Sequence, residues 1–241
     1  MSQSMPPNSP PGAPTLADLP APAALLFDLD GTLVDTVQHR IEAWSEALRR
    51  AGIATDRARL GGYIGSDGRW LAAEMARQQG RDLDYAETEE LDRVSGALFD
   101  ELNATPAPLP GAIELLTALE RSRVTFAIAT SSRPGQVAVS VGSLMLPSPP
   151  PITDGSHVAN AKPEPDLLLA SAAQLGVAPE GCWYVGDSTW DMTASVRAKM
   201  IAIGVTTGAV GAAELFAAGA TVVVASLTEL LAELRRRGAV R

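Results

Sequence analysis

Short, continuous apolar runs recur along this chain, and helical patterns separate them. The first is AALLF, which runs straight into Asp28, Leu29 and Asp30. Others are VTFAIAT (124–130), CWYVG (182–186), MIAIG (200–204) and TVVVA (221–225). A strand buried on both faces reads this way, because neither face meets water. Apolar positions at helical spacing fill 111–121, 166–175, 190–199 and 227–237. Strands alternating with helices imply an α/β fold, a doubly wound parallel sheet with helices on both faces. In such sheets ligands bind at the carboxyl ends of the strands.

One stretch breaks the alternation. Residues 36–105 carry long helical patterns (36–51, 69–79 and 85–102) and no buried-strand run. The segment ATPAPLPG (104–111) then leads back to the sheet. This predicts an all-helical cap at 36–105, inserted into a core made of 23–35 and 106–241. Residues 1–22 are rich in Pro, Ser and Ala without periodicity, which predicts a disordered tail. That opening has neither a basic start nor an apolar centre, so no secretory leader is expected.

Composition narrows the function. An apolar fraction of 46% in 241 residues supports a sizeable core. No run approaches the roughly 18 apolar residues of a membrane span. A net charge of −9 argues against a nucleic-acid or anionic membrane partner. The single cysteine, Cys182, excludes a disulfide framework within the chain and a Cys-rich zinc site. A cytoplasmic protein acting on a small molecule is the expectation.

Four elements carry chemistry. In DLDGTLVD (28–35) two carboxylates alternate at a strand end. Asp28 is the candidate nucleophile, and Asp30 the group that protonates a leaving group and then activates water. Thr130, Ser131 and Ser132 follow the second strand, where hydroxyls and backbone N–H groups hold phosphate oxygens, though such residues also serve as plain turns. Lys162, in AKPEPD, is placed to neutralise phosphate charge and keep Asp28 ionised; the alternative is a solvated surface lysine. In GDSTWD (186–191), Asp187 suits a hard cation such as Mg²⁺, or simply caps a helix. Asp191, one helical turn on, either supports the metal or holds Lys162.

In this order the four elements resemble the haloacid dehalogenase superfamily, specifically its phosphatase branch, over residues 24–237. The resemblance implies a Rossmann-like core with a helical cap after the first motif. It implies Mg²⁺ held by Asp28, the backbone carbonyl of Asp30 and Asp187. It implies phosphoryl binding by Thr130 and Lys162, and a phospho-aspartate intermediate on Asp28. The YIGSDGRW loop (63–70) is similar to that of phosphoglycolate-phosphatase-like members, where a glycine loop dips over the site and selects the substrate. On that reading Gly65 approaches the substrate and Arg69 meets a second anionic group; the alternative is a glycine-rich turn.

The expected activity is Mg²⁺-dependent hydrolysis of a small phosphorylated metabolite, phosphoglycolate- or sugar-phosphate-like. The runner-up is a sugar-phosphate mutase of the β-phosphoglucomutase type. Those mutases carry a catalytic histidine where this chain has Arg40, with His39 one position displaced. A dehalogenase would lack Asp30, and a non-catalytic binding protein would be expected to have lost one of Asp28, Asp30, Lys162 or Asp187.

Overall fold

The computed structural model describes Pro10 and residues 12–241. Its strands are β1 (Ala24–Phe27), β2 (Val34–Asp35), β3 (Ala107–Pro108), β4 (Phe126–Ala129), β5 (Ile152–Thr153), β6 (Cys182–Gly186), β7 (Ile201–Val205) and β8 (Val222–Val224). Six of them form one parallel sheet in the order β5-β4-β1-β6-β7-β8. β2 and β3 pair separately as an antiparallel ribbon.

The side-chain period of a strand explains the sheet's two cores. Leu25 and Phe27 of β1 point into a cluster with α5 (Ala112–Arg121) and α10 (Leu227–Arg236). Ala24 and Leu26 point the other way, toward α7 (Asp166–Leu175) and α8 (Thr189–Arg197). Both sides of β1 are thus covered, which is why its sequence shows no polar alternation.

Four helices occupy the stretch between the ribbon strands: α1 (Val37–Arg50), α2 (Arg57–Gly61), α3 (Gly68–Arg77) and α4 (Tyr85–Leu102). They surround an apolar cluster of their own. Val37, Ile41, Trp44 and Leu48 give α1 one apolar stripe at i, i+4, i+7 spacing, meeting Leu71 and Met75 of α3 and Leu91 of α4.

Three features depart from the sequence expectation. The first concerns the expected tail. Residues 1–9 and 11 lie outside the described residues, but Leu16–Asp18 forms a 3₁₀ turn, and Leu16 and Leu19 are buried in the core beside α10. Arg237 donates to the carbonyls of Ala17 and Leu19. Two leucines spaced among prolines show no period, so their burial left no trace in the pattern. Secondly, α6 (Pro134–Ser143) and α9 (Ala212–Ala217) were not expected. PGQVAVSVGS contains poor helix formers, and its main cue is a proline at the first helical turn. Thirdly, β5 is an edge strand of two residues, below the length at which a run is recognisable.

Candidate active site

β4, β1 and β6 are neighbours in the sheet, and their carboxyl ends deliver Thr130, Asp28 and Asp187 to one edge. All three side chains are buried. Lys162 arrives from the loop before α7 and is 2% exposed. Its Nζ donates to Asp28 Oδ1 at 2.7 Å and to Asp191 Oδ1 at 2.6 Å.

Asp191 belongs to the capping box of α8. Its Oδ2 accepts from the backbone N and the Oγ of Ser188, at 3.0 and 2.6 Å. The Tyr184 hydroxyl stands 3.2 Å from its Oδ1. Both oxygens therefore already have donors, and of the two roles open to Asp191 its contacts serve the holding of Lys162. Asp187 differs. Its Oδ1 accepts from Thr32 Oγ1 at 2.7 Å. Its Oδ2 faces glycines, and a Cβ at Gly31 or Gly208 would run into it. Gly31 also turns with φ of 81°, a conformation that favours glycine.

Asp28, Asp187 and Asp191 offer oxygens that lie within 4.8 Å of one another. Burial pushes the Asp28 carboxyl up to about 7, against the pull of Lys162 and helped by Asp191. Burial, then Asp191 and Asp28, holds Asp187 well above the ordinary carboxylate value. Burial alone would lower Lys162, but Asp191 and Asp28 outweigh it and raise it. One lysine thus faces three buried carboxylates. The set lacks positive charge, and its oxygen donors fit a hard divalent cation.

A cavity of about 390 Å³ lies between this edge and the helices α1, α3 and α4. Three buried polar atoms on its wall have no partner: Asp30 Oδ1, Thr36 Oγ1 and Ser131 Oγ. Buried polar atoms are normally satisfied, so these await a ligand or water. Thr130 Oγ1 accepts from the Ser132 backbone at 3.2 Å. Asp30 Oδ2 is held by Ser132 Oγ and by Arg40 Nη2, the latter at 3.3 Å.

Gly65 lines the cavity with φ of 95°, and a Cβ there would stand 3.0 Å from Ser188 Oγ. The glycine loop therefore presses on the turn that follows β6. Nearby, Trp190 Nε1 donates to the Gly62 carbonyl at 3.1 Å, and its ring meets Trp70 edge-on at 5.0 Å. Arg69 lines the cavity too, but not as the free cation expected of it. Its guanidinium is matched by Asp67 at 3.4 Å and Glu89 at 3.6 Å.

Arg40, named from the sequence only as the position where the mutases carry their histidine, lines the cavity. It packs on the Phe99 ring, 3.4 Å from the centroid. It also donates to Ser132 Oγ and Gln136 Oε1, each at 2.9 Å. A weak signal existed: Arg40 follows Thr36 and Val37 by about one helical turn, which puts it on the inward side of α1. His39 points elsewhere, with its Nδ1 3.2 Å from Asn103 Oδ1.

Comparison with known proteins agrees with this architecture. Residues 25–205 match the family model of haloacid dehalogenase-like hydrolases. Hexitol phosphatase A of Escherichia coli K12 is 35% identical over 164 residues, covering 68% of this chain and 73% of that protein. β-Phosphoglucomutase of Bacillus subtilis is 28% identical over 190 residues, covering 77% and 84%. The crystal structure of a hydrolase from Pseudomonas syringae superposes with a TM-score of 0.84 at 32% identity, covering 88% of this chain and 98% of that one.

Proposed function

The chain belongs to the haloacid dehalogenase-like hydrolases, and on that premise we propose that it is a Mg²⁺-dependent phosphatase working through a phospho-aspartate on Asp28. The observation that carries this reading is the grouping of Asp28, Asp30, Lys162 and Asp187 at one end of a cavity whose wall holds unpartnered Ser131 and Asp30 oxygens. Its substrate is a small phosphorylated metabolite. Similarity to a hexitol phosphatase supports that substrate size.

An Asp28 oxygen attacks phosphorus, and the bond to the leaving oxygen breaks. Lys162 offsets charge on the attacking carboxylate. Thr130 and Ser131 receive the phosphoryl oxygens. Asp30 gives its proton to the departing oxygen, then takes one from the water that attacks the phospho-aspartate, releasing phosphate and restoring Asp28. Arg40 and Ser132 fix one oxygen of Asp30, which leaves Oδ1 for this work. When bound, Mg²⁺ would sit on Asp28, Asp187 and the Asp30 carbonyl, and would neutralise phosphoryl charge. The helices of 36–105 act as the cap that shields the reaction from bulk water. A reducing cytoplasm suits the buried free thiol of Cys182.

The mutase alternative has less support, despite the similarity to a β-phosphoglucomutase, because His39 is engaged with Asn103 instead of lining the cavity. Turnover of p-nitrophenyl phosphate tests the proposal. We expect activity with Mg²⁺, its loss with EDTA, and none in Asp28→Asn. Asp30→Asn should slow turnover of an alkyl phosphate by ~10²–10⁴-fold, the range of one acid–base group. Rapid-quench trapping should find the label on Asp28. Label elsewhere, or EDTA-resistant turnover, refutes the mechanism.

A further inference from the structure

We infer that the leaving group accepted by this site is neutral and polyhydroxylated, a polyol or a sugar, and that a substrate with a second anionic group is disfavoured. The inference rests on the phosphatase reading and concerns the far wall of the same cavity. The charged groups there are Asp67, Glu89 and Asp92, with Arg40, Arg69 and Arg133.

Every one of these arginines already has a carboxylate partner. Arg40 holds Asp30, Arg69 is shared between Asp67 and Glu89, and Arg133 donates to Asp92. Each guanidinium on the wall thus already has its charge matched. On the part of the wall away from Arg40 and Asp30, three carboxylates, Asp67, Glu89 and Asp92, stand against two guanidiniums, Arg69 and Arg133. A carboxylate on the substrate would therefore face like charge, or would have to take Arg133 from Asp92. The second route leaves Asp92 partly buried and unpaired, which is costly.

Hydroxyl groups meet the opposite situation. A hydroxyl both donates and accepts. It can donate to the free lone pairs of Asp67, Glu89 and Asp92 and accept from guanidinium N–H groups, without breaking any pair. Neighbouring hydroxyls on a carbon chain match such alternating acceptors and donors. The cavity, at about 390 Å³, also has room well beyond a phosphoryl group and a glycolate.

The test measures kcat/KM with Mg²⁺ for sorbitol 6-phosphate, glucose 6-phosphate, phosphoglycolate and p-nitrophenyl phosphate. At least one of the first two should exceed phosphoglycolate by about tenfold or more, the scale of one unfavourable charge contact. The better of the two tells an open chain from a ring. Asp92→Asn frees Arg133, and Glu89→Gln removes a negative wall charge. In each variant the ratio of phosphoglycolate to the preferred neutral substrate should rise several-fold. Glu89 is nearly half exposed, so Glu89→Gln serves if Asp92→Asn does not fold. Preference for phosphoglycolate in the unmodified enzyme, or ratios unmoved in the variants, overturns the inference while leaving the phosphatase reading intact. Failure to hydrolyse any of the four esters overturns both.

Discussion

Lys162 makes two charged hydrogen bonds in a place almost without water, and Asp191 is the partner whose other contacts are all structural. Ser188 pins one oxygen of Asp191 through the helix cap, so the other is fixed in front of Lys162. Asp191 thereby sets where the lysine charge sits relative to Asp28. Removing one partner from a buried ion pair costs about 3–5 kcal/mol when the other is left alone; here Asp28 still faces Lys162, so the cost falls below that range. Asp191→Asn keeps the shape and removes the charge. We expect a lower thermal midpoint by calorimetry, together with a fall in kcat that exceeds any rise in KM. An unchanged midpoint and unchanged kcat would mean that Lys162 needs only Asp28.

At the scale of elements, the strand-end edge that carries the candidate site was legible and the wall facing it was not. β1, β4 and β6 are buried on both faces, so each announces itself as an apolar run, and the residue that follows is a strand-end residue by necessity. Asp28, Thr130 and Asp187 could therefore be read from pattern alone. Arg40 could not, because its meaning depends on Ser132 and Gln136, which reach it from a loop and from α6. That helix starts on Pro134 and is built of Gly, Ser and Val, so its own existence was hidden. The pairing of Arg133 with Asp92 joins residues 41 positions apart and likewise has no local signature. The resulting joint between α1 and α6 has a checkable consequence. Arg40 reaches its three acceptors from one nitrogen while its plane packs on Phe99. A lysine ammonium keeps the charge but loses the planar stack on Phe99. Arg40→Lys should lower kcat by about tenfold to a hundredfold through misplacement of Asp30, with KM changed far less. Equal changes in both constants would make Arg40 a substrate contact instead of a positioning residue.

Over the whole molecule, a small part of the excess negative charge lies where it is least well solvated. The chain carries −9, and three of its carboxylates, Asp28, Asp187 and Asp191, are buried around one lysine. In the unfolded chain Asp28 returns to the ordinary value of 3.8, while in the fold it is raised to about 7. A carboxyl raised on folding binds more protons in the native state, so its contribution to stability is present below pH 3.8 and lost as pH rises through 7. Asp187 is shifted in the same direction. Without a divalent cation, ionising these groups should therefore erode stability across that window. A cation that binds the ionised carboxylates of the native state reverses the loss by mass action, and most strongly where no proton competes. The rise in thermal midpoint on adding Mg²⁺ should thus be larger at pH 8 than at pH 5. Asp187→Asn should shrink that rise, since it removes a charged ligand and one source of the crowding. Differential scanning fluorimetry at the two pH values, with EDTA as the reference, measures all of this. A Mg²⁺ shift of equal size at both pH values, or one unaffected by Asp187→Asn, would place the cation away from this carboxylate cluster.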